Sequence, residues 1–228
     1  MPSSTSRDRC RHGKKTEAPK YPFRLFVLLL TAVIVISAYK PYNWPMWFAH
    51  GIWVFIGLPL LIATHRRFPF TTLAYLFLLI YGSTMMIGAH FTYEHEPVFA
   101  WLRDSLHLSR NHYDRFAHFW LGATSAIILR EILVRRRIVL KRNWTIFLVI
   151  ATSLSIGAGN EIIEWWFAVA VGKSAAISLG MQGDVWDTQW DMMIDLIGAV
   201  AAISIGGLHD RQLRNFTSLP ATSVSPPP

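Results

Sequence analysis

Two short stretches of this chain space ionisable residues as a helix would need them to act together. In R110-N-H-Y-D-R-F-A-H-F119, Asp114 and His118 stand four apart; in Q182-G-D-V-W-D-T-Q-W-D-M-M-I-D195, so do Asp191 and Asp195. Residues at i and i+4 share one face of a helix, so each pair presents its groups to a common point. Asp184, Asp187, Asp191 and Asp195 fall in one stripe about 80° wide at 100° per residue, continued by Gly198 and Ala202. E161-I-I-E-W165 adds Glu161 and Glu164, in a stripe with Ser153, Gly157 and Asn160. His90 and Glu94 repeat the four-residue spacing. Asp beside His makes an oriented general base, and imidazole with several carboxylates also suits Zn²⁺, Mn²⁺ or Mg²⁺.

The residues expected to carry chemistry, as acid, base or metal ligand, are therefore Asp114, His118, Glu161, Asp191 and Asp195. His90, Glu94, Glu164, Asp184 and Asp187 are expected around them. Asp184 and Asp187 also suit the start of a helix, where a carboxylate meets free amides and a favourable dipole; Asp191 and Asp195 come too late for that. A divalent ion is compatible with this set, but no H-E-x-x-H, P-loop, dinucleotide fingerprint or nucleophile elbow dedicates it to a cofactor. The single cysteine, Cys10, excludes an intramolecular disulfide and a cysteine metal site.

The elements that must position these residues are membrane spans. The chain of 228 residues is 52% hydrophobic and 16% charged, against about 25% charged in soluble domains. Apolar runs at 23–39, 46–64, 69–89, 116–134, 144–169 and 192–208 predict an all-α polytopic membrane protein of six transmembrane helices. This domain covers 21–210, with a disordered basic tail at 1–20 and a Ser/Thr/Pro-rich tail at 211–228. The first run is read as an uncleaved anchor. Counted by loop, 17 of the 22 Lys and Arg fall on the side of the termini, which puts both ends in the cytoplasm. Ten of the fourteen Asp and Glu fall on the opposite side, which no targeting rule requires. Residues 97–109 read as an amphipathic surface segment, and 170–183 as a loop or a re-entrant piece. The net charge of +8 lies in short loops, not on one continuous face, so nucleic acid is excluded as a partner. The lipid bilayer is the expected one.

With D114-R-F-A-H-F119, E161-I-I-E-W165 and Q182-G-D-V-W-D-T-Q-W-D-M192 in view, the chain resembles the YjdF-like family of bacterial inner-membrane proteins over about residues 24–208. That resemblance implies a multi-pass inner-membrane protein and supplies no reaction. More distantly, residues 114–208 resemble VanZ-like membrane proteins, associated with glycopeptide-antibiotic resistance, whose pattern is D-[KR]-x-x-H-F, E-x-x-Q and D-x-x-x-N-x-x-G. Asp114, His118, Phe119, Glu161, Asp191 and Gly198 match it; Glu164 and Asp195 replace its Gln and Asn. Both departures add a carboxylate. The expected function is a pocket at the extracytoplasmic leaflet acting on a lipid or lipid-linked envelope molecule. The alternatives are a proton- or cation-coupled transporter, and a non-catalytic scaffold or antibiotic-immunity factor.

Overall fold

The computed structural model describes residues 20–171, 182–214 and 216. Among the described residues the secondary structure is helical, without strands: α1 (Lys20–Ser37), α2 (Trp44–Thr64), α3 (Thr72–Phe91), a 3₁₀ turn (Tyr93–His95), α4 (Pro97–Ser105), α5 (Tyr113–Arg135), α6 (Arg142–Val171), α7 (Asp187–Ser204) and α8 (Gly206–Leu213). Local chemistry sets several starts. The Asn43 side chain accepts the Met46 amide at 3.1 Å, with Pro45 in the first helical turn of α2. The hydroxyl of Thr71 accepts the Ala74 amide at 3.2 Å to open α3, and Glu96 accepts the Phe99 amide at 2.8 Å to open α4. Each cap satisfies an amide that the first turn of a helix leaves without an internal partner.

Among the described residues, four helices are long and apolar enough to cross a membrane: Trp44–Thr64, Thr72–Phe91, Tyr113–Arg135 and Arg142–Ala170. A fifth crossing arises if α7 and α8, bent by 57° at their junction, count as one span; Pro22–Ser37 is apolar but shorter. The expected final run of 192–208 is displaced at both ends. Its helix starts earlier, at Asp187, because the acidic stripe belongs to it, and stops at Ser204, after which the chain turns. That turn buries His209 and Leu213, and Gln212 accepts the Leu73 amide at 2.9 Å. The helix α8 runs to Leu213, past the expected start of the tail at 211. Of the expected loop or re-entrant piece, residues 172–181 lie outside the described residues.

The helices form two groups. α1 and α2 lie on α3; α5, α6 and α7 pack on one another; and α3 against α5 is the seam. Without a hydrophobic drive between helices in lipid, such packing depends on close approach of small residues. A Cβ on Gly122 would stand 1.9 Å from the Asp195 carbonyl oxygen, and one on Gly198 would stand 2.1 Å from that of Phe119. Glycine is the only residue that allows α5 and α7 to touch there. The dry layer below them contains Ala123, Ala126, Ile127, Ala199 and Ala202. The outward faces carry Leu28, Ile36, Phe147, Ile197 and Val200, all exposed, as lipid contact requires.

Candidate functional site

The two signature stretches clasp each other at the acidic end of the bundle. Gln182 accepts the Asn111 amide at 2.9 Å and donates to the Asn111 carbonyl at 2.8 Å. Asn111, fully buried, donates from its own side chain to the Glu94 and Glu96 carbonyls, both at 3.1 Å, and accepts the Tyr113 amide at 2.9 Å, so it fixes the entry to α5. Arg115 donates to Asp184 at 2.8 Å, and Arg110 donates to both Asp184 and Asp187. Asp184 lies outside the spans. The Trp186 amide at 2.9 Å, then Arg115 and Arg110, hold its carboxyl below the usual range.

Beneath this clasp the buried faces of α5, α6 and α7 meet. His118 Nδ1 lies 3.1 Å from Asp195 Oδ2, while its Nε2 lies 3.2 Å from Glu161 Oε1 and 3.9 Å from Asp114 Oδ1. Asp191, 1% exposed, stands where two groups of closely spaced donor atoms overlap: His118, Glu161 and Asp191, and Asp114, Asp187 and Asp191. Within each group the donor atoms lie within 4.8 Å of one another. Gly157 admits Asp195, whose Oδ2 would stand 2.0 Å from a Cβ at that position. Among the described residues, Glu161 Oε1, Asp191 Oδ1 and Asp195 Oδ1 are buried without a hydrogen-bond partner.

An apolar cleft leads to this centre from the side of the bundle. Its cavity of about 390 Å³ is lined from α2 by Phe48, His50 and Trp53, from α6 by Ile163 and Phe167, and from the α3 side by Met85 and Tyr93. Asp114, Asn160 and Glu164 form its polar wall. They also line a smaller void of about 20 Å³ that continues to His118. Asn160 donates to Glu164 at 2.7 Å. His50 is buried against the edge of Tyr93, ring centres 4.7 Å apart, and neither of its nitrogens has a hydrogen-bond partner among the described residues.

The structure thus brings Asp114, His118, Glu161, Asp191 and Asp195 together, with Glu164 on the cleft wall. Asp187 departs from the expected capping role: it faces Arg110, and no side chain caps the amides of α7. His90 and Glu94 also depart from the expected pocket. α3 ends at Phe91, and Thr92 adopts a left-handed conformation at φ 58°, so the helical register between them is broken. His90 Nδ1 instead contacts the Ser37 carbonyl oxygen at 2.8 Å, and the Glu94 carboxylate lies 3.4 Å from His95 Nδ1. Acid and imidazole reach the centre from three helices, and α3 with its following turn supplies Tyr81, Met85 and Tyr93.

Sequence reasoning read Asn111 only as a helix cap beside Asp114, gave no site role to Arg110, Gln182 or His50, and left out a second buried cluster at the basic end. There Glu131 accepts from Thr71 Oγ1 at 2.8 Å and from Arg135 at 2.6 Å, and lies 3.2 Å from His209 Nε2. Glu131, an acid within an apolar run, is the signal that could have found this cluster. The flanking run of arginines hid it.

Residues 22–212 match the family model described as "Predicted membrane protein (DUF2238)". The chain is 40% identical over 190 residues to the inner membrane protein YjdF of Escherichia coli (strain K12), covering 83% of this chain and 91% of that protein. No solved structure matches. This is a multi-pass protein of the bacterial inner membrane, and it belongs to the DUF2238 family of membrane proteins.

Proposed function

We propose that this protein acts on a lipid or lipid-linked envelope molecule at the extracytoplasmic leaflet. α1 and the α7–α8 pair complete six spans in this reading, both termini are cytoplasmic, and the acidic end of the bundle faces outward, as the distribution of Lys and Arg favours. The observation that carries the proposal is the shape and chemistry of the cleft. Its mouth is apolar, with Phe48, Trp53 and Ile163 partly exposed, and its inner wall bears Asp114, Asn160 and Glu164. An acyl or isoprenoid chain fits the first part and a polar group the second, the usual division of labour in a small-molecule site.

At the inner wall Asp114 and Glu164 serve as acid and base toward the substrate's polar end, with His118 behind them. Asp195 fixes the imidazole ring, and Asp191 and Glu161 provide the negative field. Most of the cleft's lining is apolar, and in such surroundings carboxylates act more strongly than in water. The test compares the envelope lipids of cells carrying the wild-type protein with those of cells carrying Asp191→Asn, by mass spectrometry. The expected result is at least one lipid or lipid-linked species whose abundance falls several-fold in one strain while a chemically related species rises. Identical profiles at equal protein levels would remove the catalytic reading.

A further inference from the structure

We infer that His118, Glu161 and Asp191 form a binding site for one divalent transition-metal ion, of the zinc or manganese type, with Asp195 as the residue that orients the histidine. The first argument is the direction of the imidazole. An ionised Asp195 only accepts hydrogen bonds, so the 3.1 Å contact at Nδ1 assigns the ring proton to that nitrogen. In the neutral ring Nε2 then carries a lone pair, and it points at Glu161 Oε1, another acceptor, 3.2 Å away. Two acceptors facing each other need a proton or a metal ion between them, and the orphaned oxygens beside this pair favour the metal. A metal bonded at about 2.0–2.2 Å to nitrogen and carboxylate oxygen holds neighbouring donors roughly 3.0–3.5 Å apart, which this pair matches. A carboxylate on the far nitrogen of a metal-bound histidine is the usual way such a ring is oriented and made more basic.

The second argument is the set of orphaned oxygens. Glu161 is 8% exposed and Asp191 is 1% exposed, and among the described residues Glu161 Oε1 and Asp191 Oδ1 have no hydrogen-bond partner. Both belong to the same group of donor atoms as His118. A buried, unsatisfied carboxylate oxygen costs free energy unless a cation compensates it.

The third argument decides between the two overlapping groups. Asp114, Asp187 and Asp191 could also hold an ion, but Arg110 is already bonded to Asp187 and supplies the positive charge there. Asp114, Glu161, Glu164, Asp187, Asp191 and Asp195 converge on this region with Arg110 and His118 as the buried basic partners. The ion therefore sits on the His118 side, and the guanidinium occupies the place of a second ion. An imidazole and two carboxylates favour zinc or manganese over calcium or magnesium, which prefer oxygen alone.

The site stands apart from the lipid proposal: a protein that holds the ion and alters no lipid would overturn only that earlier reading. The test uses the full-length protein in detergent, stripped with a chelator and titrated with Co²⁺ as a visible stand-in for Zn²⁺. The expected result is a ligand-field absorption band that saturates near about one equivalent and is displaced by Zn²⁺. Glu161→Gln and Asp191→Asn should each weaken Co²⁺ binding at least ten-fold while eluting as the wild type does. Glu94→Gln, whose carboxylate lies beside His95 and outside the donor group, should bind as the wild type. Folded wild-type protein that shows no saturable Co²⁺ or Zn²⁺ binding would overturn the site and leave His118 as an imidazolium between Glu161 and Asp195. Binding that survives in both Glu161→Gln and Asp191→Asn would overturn it equally.

Discussion

Asp184 and Asp187 sit three residues apart and do different things. Asp184 turns the chain into α7 through the Trp186 amide and gathers Arg115 and Arg110 at the water boundary, while Asp187 neutralises Arg110 where both are buried. The two can be separated by pH. The Asp184 carboxyl is held below its ordinary value of 3.8, so its contribution to stability is present above that pH and is lost as pH falls through the lower folded-state value. Asp184→Asn should melt below the wild type at pH 6, and the gap should narrow below 3.8 and close at stronger acidity, as followed by thermal unfolding in detergent. A gap unchanged by pH would mean that the ion pairs with Arg115 and Arg110 contribute nothing. At this scale the sequence was informative where helical spacing held. Asp114 with His118, and Asp191 with Asp195, face the centre as their four-residue spacing requires. His90 and Glu94 share that spacing without sharing a helix, because the chain turns at Thr92.

The helices that carry the centre are held by contacts in which glycine meets backbone. Gly122 and Gly198 allow α5 and α7 to cross with carbonyl oxygens at positions a Cβ would occupy, and Gly157 makes room for the Asp195 side chain. Gly122→Ala or Gly198→Ala should therefore destabilise the protein by about 1–3 kcal/mol, the usual cost of forcing an extra carbon into a packed core. Gly159→Ala, with nothing within 4 Å of the added carbon, should leave the melting temperature unchanged or slightly raised. Thermal unfolding of the three variants side by side checks this; equal melting temperatures would mean the helices do not cross this closely. The small-residue stripes that mark this crossing were legible in the sequence, since they continue the acidic faces. The bend between α7 and α8 was not, because it follows from Glu131 and His209, residues 78 apart in the chain. Hydropathy at residues 192–208 records only that the segment is apolar.

For the whole molecule, charge separates the two ends of one bundle, and each end has its own buried polar cluster. The dry layer of Ala123, Ala126, Ile127, Ala199 and Ala202 lies between them. The cleft is a property of the assembled helices: it exists because α2 leans on α3 while α6 belongs to the other group. No periodicity in α2 or α6 encodes that separation, so its residues, His50 foremost, could not be picked out from sequence. The central claim is that this cleft holds an amphiphile with its polar end at Asp114 and Glu164. The most direct test is native mass spectrometry of the protein after exhaustive detergent exchange, comparing the wild type with Ala49→Trp, which fills the cleft, and with Ile197→Trp, which lies on the exposed face of α7. The wild type and Ile197→Trp should retain on the order of one bound amphiphile per chain, and Ala49→Trp should retain none. Equal retention by all three, or none by the wild type, would contradict the account.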